Sequence, residues 1–186
     1  MNRFIVTDLP LVALKLIERQ RLGDSRGFLS RLFCSVELAA AGCYQPIVQI
    51  NQTYTAKRGT VRGMHYQNPP YTEMKLVNCI EGEVWDVAVD LRAGSPTFLH
   101  CHAEILSADN NRALLIPEGF AHGFQTLTDN VTLLYCHTAT YSPEAERALN
   151  ARDPRLAISW PLAITEISTK DAKHPLLDMK FEGIRL

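Results

Sequence analysis

The sequence lacks the features that define several large classes of protein. It has no apolar run near the ~20 residues that a membrane-spanning helix needs. Its first residues do not form a signal-peptide pattern, because Asp8 and Pro10 interrupt the apolar positions. The formal net charge at pH 7 is -1, so charge gives no reason to expect a nucleic acid or a membrane surface as a partner. We therefore expect a globular protein with neither a nucleic acid nor a membrane as its partner.

Cysteine is sparse and shows no paired spacing. The five cysteines are an odd number and are scattered along the chain, at Cys34, Cys43, Cys79, Cys101 and Cys136. Such use of cysteine suits a reducing compartment better than a disulfide framework, so we expect a cytoplasmic protein. Internal repeats, low-complexity segments and Pro/Gly/Ser linkers are also missing, and 186 residues suffice for one ordinary domain. We therefore expect a single domain over residues 1–186.

The chain consists largely of short alternating or β-branched runs separated by turn-rich segments. The predicted strands cover residues 47–55, 74–80, 83–91, 100–106, 113–117 and 131–141. Turns are expected in between, including "PEGFAHG" at 117–123. Many short strands at close spacing are typical of an all-β sandwich or barrel. Val84, Asp86, Ala88 and Asp90 would share one strand face, which places two carboxylates towards solvent or a polar cavity.

Helical structure is predicted to be short and peripheral. The best helical stretch is "SVELAAAGC" at 35–43, with Ser35 as a candidate N-cap and Gly42 near its C-terminal end. From residue 142 onward the sequence predicts short helical pieces and loops, with Trp160 as an apolar anchor.

Two histidine-containing stretches outline a cupin-type barrel. They are "VRGMHYQNPP" at 61–70 and "IPEGFAHGF" at 116–124. Cupins commonly hold a metal through His-x-His, a Glu and a further His, but only His65 and His122 fill these places. Gln67 stands at the second histidine place and Lys75 at the carboxylate place. A charged ammonium has no lone pair and repels a cation, so we expect no metal.

The same residues suggest acid–base chemistry in place of a metal. A neutral imidazole at His65 would serve as a general base near neutral pH. Lys75 would stabilise an oxyanion, and Tyr135, on a predicted strand, would supply a proton. A lone histidine in an apolar barrel is more often a hydrogen-bonded core residue. Burying Arg62 and these three groups together is costly unless they are paired, so we favour the functional interpretation.

Motifs along nearly the whole chain resemble the dTDP-4-dehydrorhamnose 3,5-epimerase family. They include "DSRGF" (24–28), "QINQTYT" (49–55), "RGTVRGMHYQNPP" (58–70), "DVAVDLRAGSPTF" (86–98), "LLIPEGFAHGFQTL" (114–127), "DPRLAISWP" (153–161) and "STKDAKHPLL" (168–177). The resemblance implies a cupin-like jelly-roll antiparallel barrel with short peripheral helices, a homodimer, and no metal or organic cofactor. The implied substrate is a nucleotide-diphosphate-linked 4-keto-6-deoxyhexose, whose C3 and C5 are inverted through an enolate.

The resemblance also implies roles for individual residues. His65 would be the base, oriented by Asp171, while Lys75 would stabilise the enolate and Tyr135 would return the proton. The implied substrate-binding positions are Arg26, Arg31, Gln49, Asn51, Arg62, His122, Tyr141, Glu146 and Lys170. Some of the nucleotide contacts would come from the partner subunit, so that dimerisation completes the site.

Several of these residues have plainer interpretations. Asp171 could cap a C-terminal turn, and Arg26 could be a surface charge. Tyr141 could be a half-buried strand aromatic, and Glu146 could lie on a solvated helix face.

The sequence departs from the family in the motif "RGFLSR" at 26–31, where Arg31 stands in place of a glutamate that would accept from a pyrimidine base. Thymine and uracil present an N3–H donor, which a guanidinium cannot satisfy. A CDP- or GDP-linked sugar is therefore one hypothesis. The other is that Arg31 pairs with a nearby acid and makes no contact with the base.

The type of activity also stays open on sequence alone. An enzyme that inverts only C3 would use the same base and acid. A non-catalytic cupin-like module that binds nucleotide sugars is a third alternative, although His65, Lys75 and Tyr135 are all present.

Overall fold

The computed structural model describes residues 2–186, which form fourteen strands and two short helices. The strands are β1 Phe4–Asp8, β2 Lys15–Arg19, β3 Arg21–Asp24, β4 Gly27–Ser30, β5 Gln49–Thr55, β6 Thr60–Gln67, β7 Lys75–Glu81, β8 Glu83–Asp90, β9 Cys101–Ser107, β10 Arg112–Ile116, β11 Phe120–Thr126, β12 Val131–His137, β13 Glu146–Ala148 and β14 Glu166–Ile167. The helices are α1 Ser35–Ala40 and α2 Thr169–Ala172. The all-β prediction is confirmed. Neither helix is long and apolar enough to cross a membrane.

Two six-stranded sheets form the body of the molecule. The first has the order β1-β2-β10-β7-β12-β5, and the second has the order β13-β6-β11-β8-β9 with β14 added beside β6. The β3–β4 hairpin forms a separate two-stranded sheet. All strand pairs are antiparallel except β14 on β6. The chain therefore crosses repeatedly between two facing layers, as in a jelly roll.

Apolar side chains fill the space between the sheets and also cover both outer faces. Strand β8 shows why: Val84 and Ala88 join the interior cluster, while Val87 and Val89 join the cluster on the outer face of the second sheet. This is the predicted alternation of period two. Helix α1 covers the outer face of the first sheet through Leu38. One end of the interior is left polar, and the candidate site lies there.

The six predicted strands correspond to β5, β7, β8, β9, β10 and β12, with ends that differ by a few residues. The N-cap prediction for Ser35 is wrong. Cys34, with an extended backbone, precedes the helix, its side chain makes no cap hydrogen bond, and Ser35 is the first helical residue.

The predicted turn at 117–123 is wrong in its second half. The turn ends at Gly119, and Phe120 starts β11, whose seven residues are all buried. Pairing with β6 on one side and β8 on the other holds this segment extended despite its glycine. The tail contains β13 and β14 as well as the expected short helix and loops. Trp160 packs on the outer cluster of the second sheet, as predicted.

A close approach of two backbones places both motif histidines on the interior side. In the β6–β11 ladder, His122 pairs with His65, and the register shifts between His122 and Phe124. Gly63 has φ +123°, and a Cβ added there would lie 2.4 Å from the Cα of Gly123. Only glycine fits such a contact. The local backbone of "VRGMH" thus decides where the imidazoles point.

Candidate active site

A cavity of about 220 Å³ opens between the two sheets. Strands β5, β7 and β12 of the first sheet and β6 and β11 of the second supply its walls. Its lining residues are Asn51, Thr53, Arg62, His65, Lys75, His122, Gly123, Phe124, Tyr135 and His137. Three imidazoles, an ammonium and a phenol thus share one small space.

The predicted His65–Asp171 pair is present. Nε2 of His65 lies 2.8 Å from Oδ1 of Asp171, which is buried on α2. Ser168 is the N-cap of that helix and accepts a hydrogen bond from the Asp171 amide, so the turn-capping alternative for the Asp171 carboxylate is wrong. Burial acts to raise the pKa of Asp171, but the hydrogen bond and charge of His65 outweigh it, and the net pKa lies below the ordinary value. The carboxylate holds a proton on Nε2 and leaves Nδ1 as the basic nitrogen.

Lys75 carries its ammonium into the cavity from β7. Its Nζ lies 3.2 Å from Oε1 of Glu73 and 3.5 Å from the carbonyl oxygen of His65. The carboxylate of Glu73 compensates the cost of burying this charge. A fixed cation beside the His65 imidazole is placed to stabilise a developing oxyanion.

Tyr135 faces His65 across the interior, because β12 belongs to the first sheet and β6 to the second. The phenol is 8% exposed, and its oxygen lies 3.3 Å from Oγ1 of Thr53. Burial, chiefly, raises the pKa of Tyr135 well above its usual range. The phenol therefore stays protonated and can donate.

His122 forms a second histidine–carboxylate pair that the sequence did not predict as such. Its Nε2 lies 2.9 and 3.0 Å from the two carboxylate oxygens of Asp86, and Asp86 is fully buried. The strand alternation had placed Asp86 towards solvent or a polar cavity; its carboxylate lies in the interior and meets the cavity only through His122. Asp90, on the same face, is also fully buried and pairs with Arg92. The predicted alternative of a solvent-exposed carboxylate is therefore wrong for both Asp86 and Asp90.

His137 and Glu73 were missed by the sequence analysis. Nδ1 of His137 lies 2.8 Å from Oε2 of Glu73, so one carboxylate contacts both His137 and Lys75. His137 stands two residues after Tyr135 on β12, and alternation alone would have put both on one face. Glu73 precedes β7 and gave no periodic signal.

Several predicted substrate-binding residues lie around the cavity mouth. Nη1 of Arg62 contacts Oγ1 of Thr55 at 3.3 Å. Oε1 of Gln49 accepts from the Tyr141 amide at 2.9 Å, and Asn51 lines the cavity itself.

Tyr141, Glu146 and Lys170 form one hydrogen-bonded group. Oε2 of Glu146 accepts from the Tyr141 hydroxyl at 3.0 Å and from Lys170 Nζ at 2.7 Å. The Lys170 hydrogen bond lowers the pKa of Glu146. Tyr141 is 53% exposed outside any strand, and Glu146 lies on β13, so the plainer interpretations of both as a half-buried strand aromatic and a helix-face acid are wrong.

The two remaining predicted residues do not line the cavity of their own chain. Arg26 sits at the exposed turn of the β3–β4 hairpin, where its Nε lies 3.1 Å from Oδ1 of Asp24. Arg31 contacts the carboxylate of Glu37, which is the second of the two alternatives stated for it.

The imidazoles and the ammonium around the cavity are better suited to proton transfer than to metal binding. Each imidazole already binds a carboxylate, and the Lys75 ammonium stands among them. Among residues 2–186, no three or more His, Cys, Asp and Glu side chains come together as a metal-holding group.

The fold and the cavity together define the class of the protein: a jelly-roll protein with an acid–base site between its two sheets. A model of the dTDP-4-dehydrorhamnose 3,5-epimerase family matches residues 8–179. The dTDP-4-dehydrorhamnose 3,5-epimerase of Sinorhizobium fredii is 41% identical over 178 residues, covering 95% of this chain and 91% of the relative. The chain therefore belongs to the dTDP-4-dehydrorhamnose 3,5-epimerase family, and the resemblance seen in the sequence is confirmed.

Solved structures agree with this assignment. The Bacillus anthracis dTDP-4-dehydrorhamnose 3,5-epimerase with TDP and PPi bound has a TM-score of 0.90 at 40% identity, covering 94% of this chain and 99% of that one. The Legionella pneumophila dTDP-6-deoxy-D-glucose-3,5-epimerase in complex with dTDP-4-keto-L-rhamnose has a TM-score of 0.89 at 40% identity, covering 93% and 92%. The jelly-roll prediction is confirmed at the level of the whole fold.

Proposed function

We propose that residues 1–186 form one epimerase domain that inverts C3 and C5 of a dTDP-linked 4-keto-6-deoxyhexose in deoxysugar biosynthesis. The observation that carries this proposal is a carboxylate-held imidazole and a protonated phenol on opposite walls of one cavity, with an ammonium beside the imidazole. The relatives' names supply the substrate class.

The reaction follows from where these groups stand. Nδ1 of His65 removes the proton from a carbon next to the C4 ketone, and the C–H electron pair moves into the carbonyl to give an enolate. The Lys75 ammonium stabilises the negative oxygen. Tyr135 returns a proton from the opposite face, which inverts the carbon. C3 and C5 both adjoin C4, so one set of groups serves both centres.

Binding of the nucleotide sugar is assigned to the polar groups at the mouth. Arg62 and His122 hold the sugar and diphosphate, with Gln49 and Asn51 beside them. Tyr141, Glu146 and Lys170 hold the nucleotide side.

The protein acts as a homodimer in this proposal. Arg26 and Arg31 lie outside the cavity of their own chain, and the partner subunit's site is where Arg26 would meet the nucleotide. A cytoplasmic location is supported by the five cysteines, all of which are unpaired.

Thymidine is the proposed base, because the guanidinium of Arg31 is engaged by Glu37 and both solved structures were obtained with thymidine nucleotides. Calorimetric titration with dTDP, UDP, CDP and GDP tests this. We expect dTDP to bind most tightly. Tighter binding of CDP or GDP would mean that Arg31 leaves Glu37 and reads the base.

Deuterium exchange tests the reaction itself. The protein is incubated with dTDP-4-keto-6-deoxyglucose in D₂O, and NMR measures where deuterium enters the product. We expect deuterium at both C3 and C5. Deuterium at C3 alone would identify an enzyme that inverts only C3. Deuterium at neither position would leave a binding module.

Two variants separate the base from the acid. His65→Ala should stop exchange at carbon, because no enolate forms. Tyr135→Phe should retain exchange while losing inversion, because the enolate forms without its acid. Exchange at the wild-type rate in His65→Ala would contradict the assignment of the base.

A further inference from the structure

The third histidine–carboxylate pair at the cavity has no role in the reaction as described. His65 is held by Asp171 and His122 by Asp86, whereas His137 is held by Glu73. The side chain of His137 is 11% exposed, and that fraction belongs to the cavity wall.

The hydrogen bond to Glu73 determines which nitrogen of His137 is free. Burial acts to raise the pKa of Glu73, but the hydrogen bond from His137 and the charge of Lys75 outweigh it, so the net pKa lies below the ordinary value. An ionised carboxylate only accepts, so Nδ1 of His137 must carry the proton. In the neutral ring, Nε2 then holds a lone pair.

That lone pair is poorly satisfied by the protein. Among residues 2–186, the hydrogen-bond partner of Nε2 is the side-chain amide of Asn51, at 3.5 Å, the outer limit of a hydrogen bond. Nδ2 of Asn51 is itself a cavity-wall donor that could turn to a ligand. A nearly buried acceptor aimed into the cavity with one weak partner is placed to receive a donor from the substrate.

A hexose ring offers hydroxyl groups as its hydrogen-bond donors. We propose that His137 is a further substrate-contacting residue whose Nε2 accepts a hydrogen bond from a sugar hydroxyl, and that Glu73 is the positioning residue that holds this acceptor. The inference rests on the proposed function, because it takes a sugar as the ligand of the cavity.

Glu73 also couples this contact to the reacting groups. Its Oε2 accepts the hydrogen bond from Nδ1 of His137, while its Oε1 lies 3.2 Å from Lys75 Nζ. One carboxylate therefore holds both a hydroxyl acceptor and the cation that faces the ketone oxygen. A sugar that places a hydroxyl against His137 would present its carbonyl to Lys75 in a defined orientation.

Nuclear magnetic resonance of ¹⁵N-histidine-labelled wild-type protein tests the contact directly. The probes are dTDP alone and dTDP-glucose, which has ring hydroxyls and no ketone to react. Loss of one signal in His137→Phe assigns the resonance. We expect the Nε2 signal of His137 to shift with dTDP-glucose and to stay in place with dTDP. An unmoved signal with dTDP-glucose, or an equal shift with dTDP, would overturn the proposal.

Kinetics separates a substrate contact from a structural role. In His137→Phe the ring shape is kept and the acceptor is lost, so KM should rise about tenfold with kcat within about twofold. His137→Gln, whose amide oxygen can stand near the position of Nε2, should recover part of that loss. Glu73→Gln offers a donor to Nδ1 and inverts the tautomer, so KM should rise similarly, and kcat should fall as well because Lys75 loses its carboxylate partner. Unchanged KM in folded His137→Phe, or no advantage of His137→Gln over it, would count against the contact.

The two proposals fail separately. If wild-type protein exchanges deuterium while His137 neither shifts nor affects KM, only the inference about His137 is wrong. If His137 responds to dTDP-glucose while wild-type protein exchanges no deuterium, only the proposed reaction is wrong.

Discussion

Each imidazole in the cavity is hydrogen-bonded to a carboxylate. The ring nitrogen that makes this bond determines which other nitrogen is free to face the substrate. Asp171 and Asp86 bind Nε2 of His65 and His122, whereas Glu73 binds Nδ1 of His137. The same side chain thus presents different atoms to the cavity. A proton acceptor at His65 and a hydroxyl acceptor at His137 follow from this difference.

Asp171→Asn tests the first of these pairs. The variant keeps the shape but loses the negative charge, and its amide can hold the wrong tautomer of His65. We expect kcat to fall about 100-fold, within the range of general-base effects, with KM little changed. Initial rates of deuterium exchange give the measurement.

A matched change of an exposed acid serves as the control. Asp109→Asn removes the same charge at an exposed position in the turn after β9, outside the cavity lining. It should leave kcat as in wild type. Equal rates for Asp171→Asn and wild type would remove the carboxylate from the mechanism.

At the scale of elements, the β6–β11 ladder is what turns two sequence motifs into one site. Its register shift lies beside the Gly63–Gly123 contact and places His65 opposite His122. Strands β7 and β12 bring Lys75 and Tyr135 from the facing sheet. The positions of the two imidazoles therefore depend on backbone packing at the Gly63–Gly123 contact.

Gly63→Ala is expected to destabilise the fold strongly. A methyl group there meets backbone atoms at 2.4 and 2.8 Å and must also adopt φ +123°. We expect the free energy of unfolding to fall by about 3 kcal/mol or more, measured by urea denaturation, with loss of activity.

Gly94→Ala is the matched comparison, since Gly94 has φ +74° with open space around it. Backbone strain alone should cost about 1–2 kcal/mol there. Equal losses of unfolding free energy at the two positions would mean that the close backbone contact at Gly63 adds nothing to the cost of the substitution.

At the scale of the whole molecule, one chain holds the proposed reacting groups but not every predicted nucleotide contact. The β3–β4 hairpin carries Phe28 and Leu29 at 60% and 70% exposure, next to Arg26. Large apolar side chains exposed together are typical of a surface that another protein covers. The proposed dimer would place this hairpin against the partner subunit.

Mixed dimers test whether the hairpin completes the partner's site. His65→Ala and Arg26→Ala chains, each with its own affinity tag, are co-expressed. In a mixed dimer one site has both defects and the other has neither. Random pairing should therefore give about a quarter of wild-type activity, well above either variant alone at low substrate concentration. Doubly tagged dimers that remain inactive would show that Arg26 serves its own chain or neither.

Much of the fold and the core of the site could be predicted from sequence. Alternation of period two identified six strands and the shared face of Asp86 and Asp90 on β8, and the motifs identified His65, Lys75, Tyr135, His122 and Asp171 as one group. These features depend on local patterns that recur in any strand or on motifs long enough to be specific. The boundary of α1 and the strand β11 were predicted wrongly, because a cap and a strand flanked on both sides depend on neighbouring segments.

By itself, the sequence determined an all-β protein with acid–base side chains in place of a metal site. Side-chain chemistry and strand periodicity follow directly from the order of residues along the chain. Only the tertiary structure decided the partners: Asp86 with His122, Glu73 with both His137 and Lys75, and Glu37 with Arg31. These contacts join residues from 2 to 64 positions apart. Spacing along the chain does not encode them, since pairing is set by which strands and loops pack against each other.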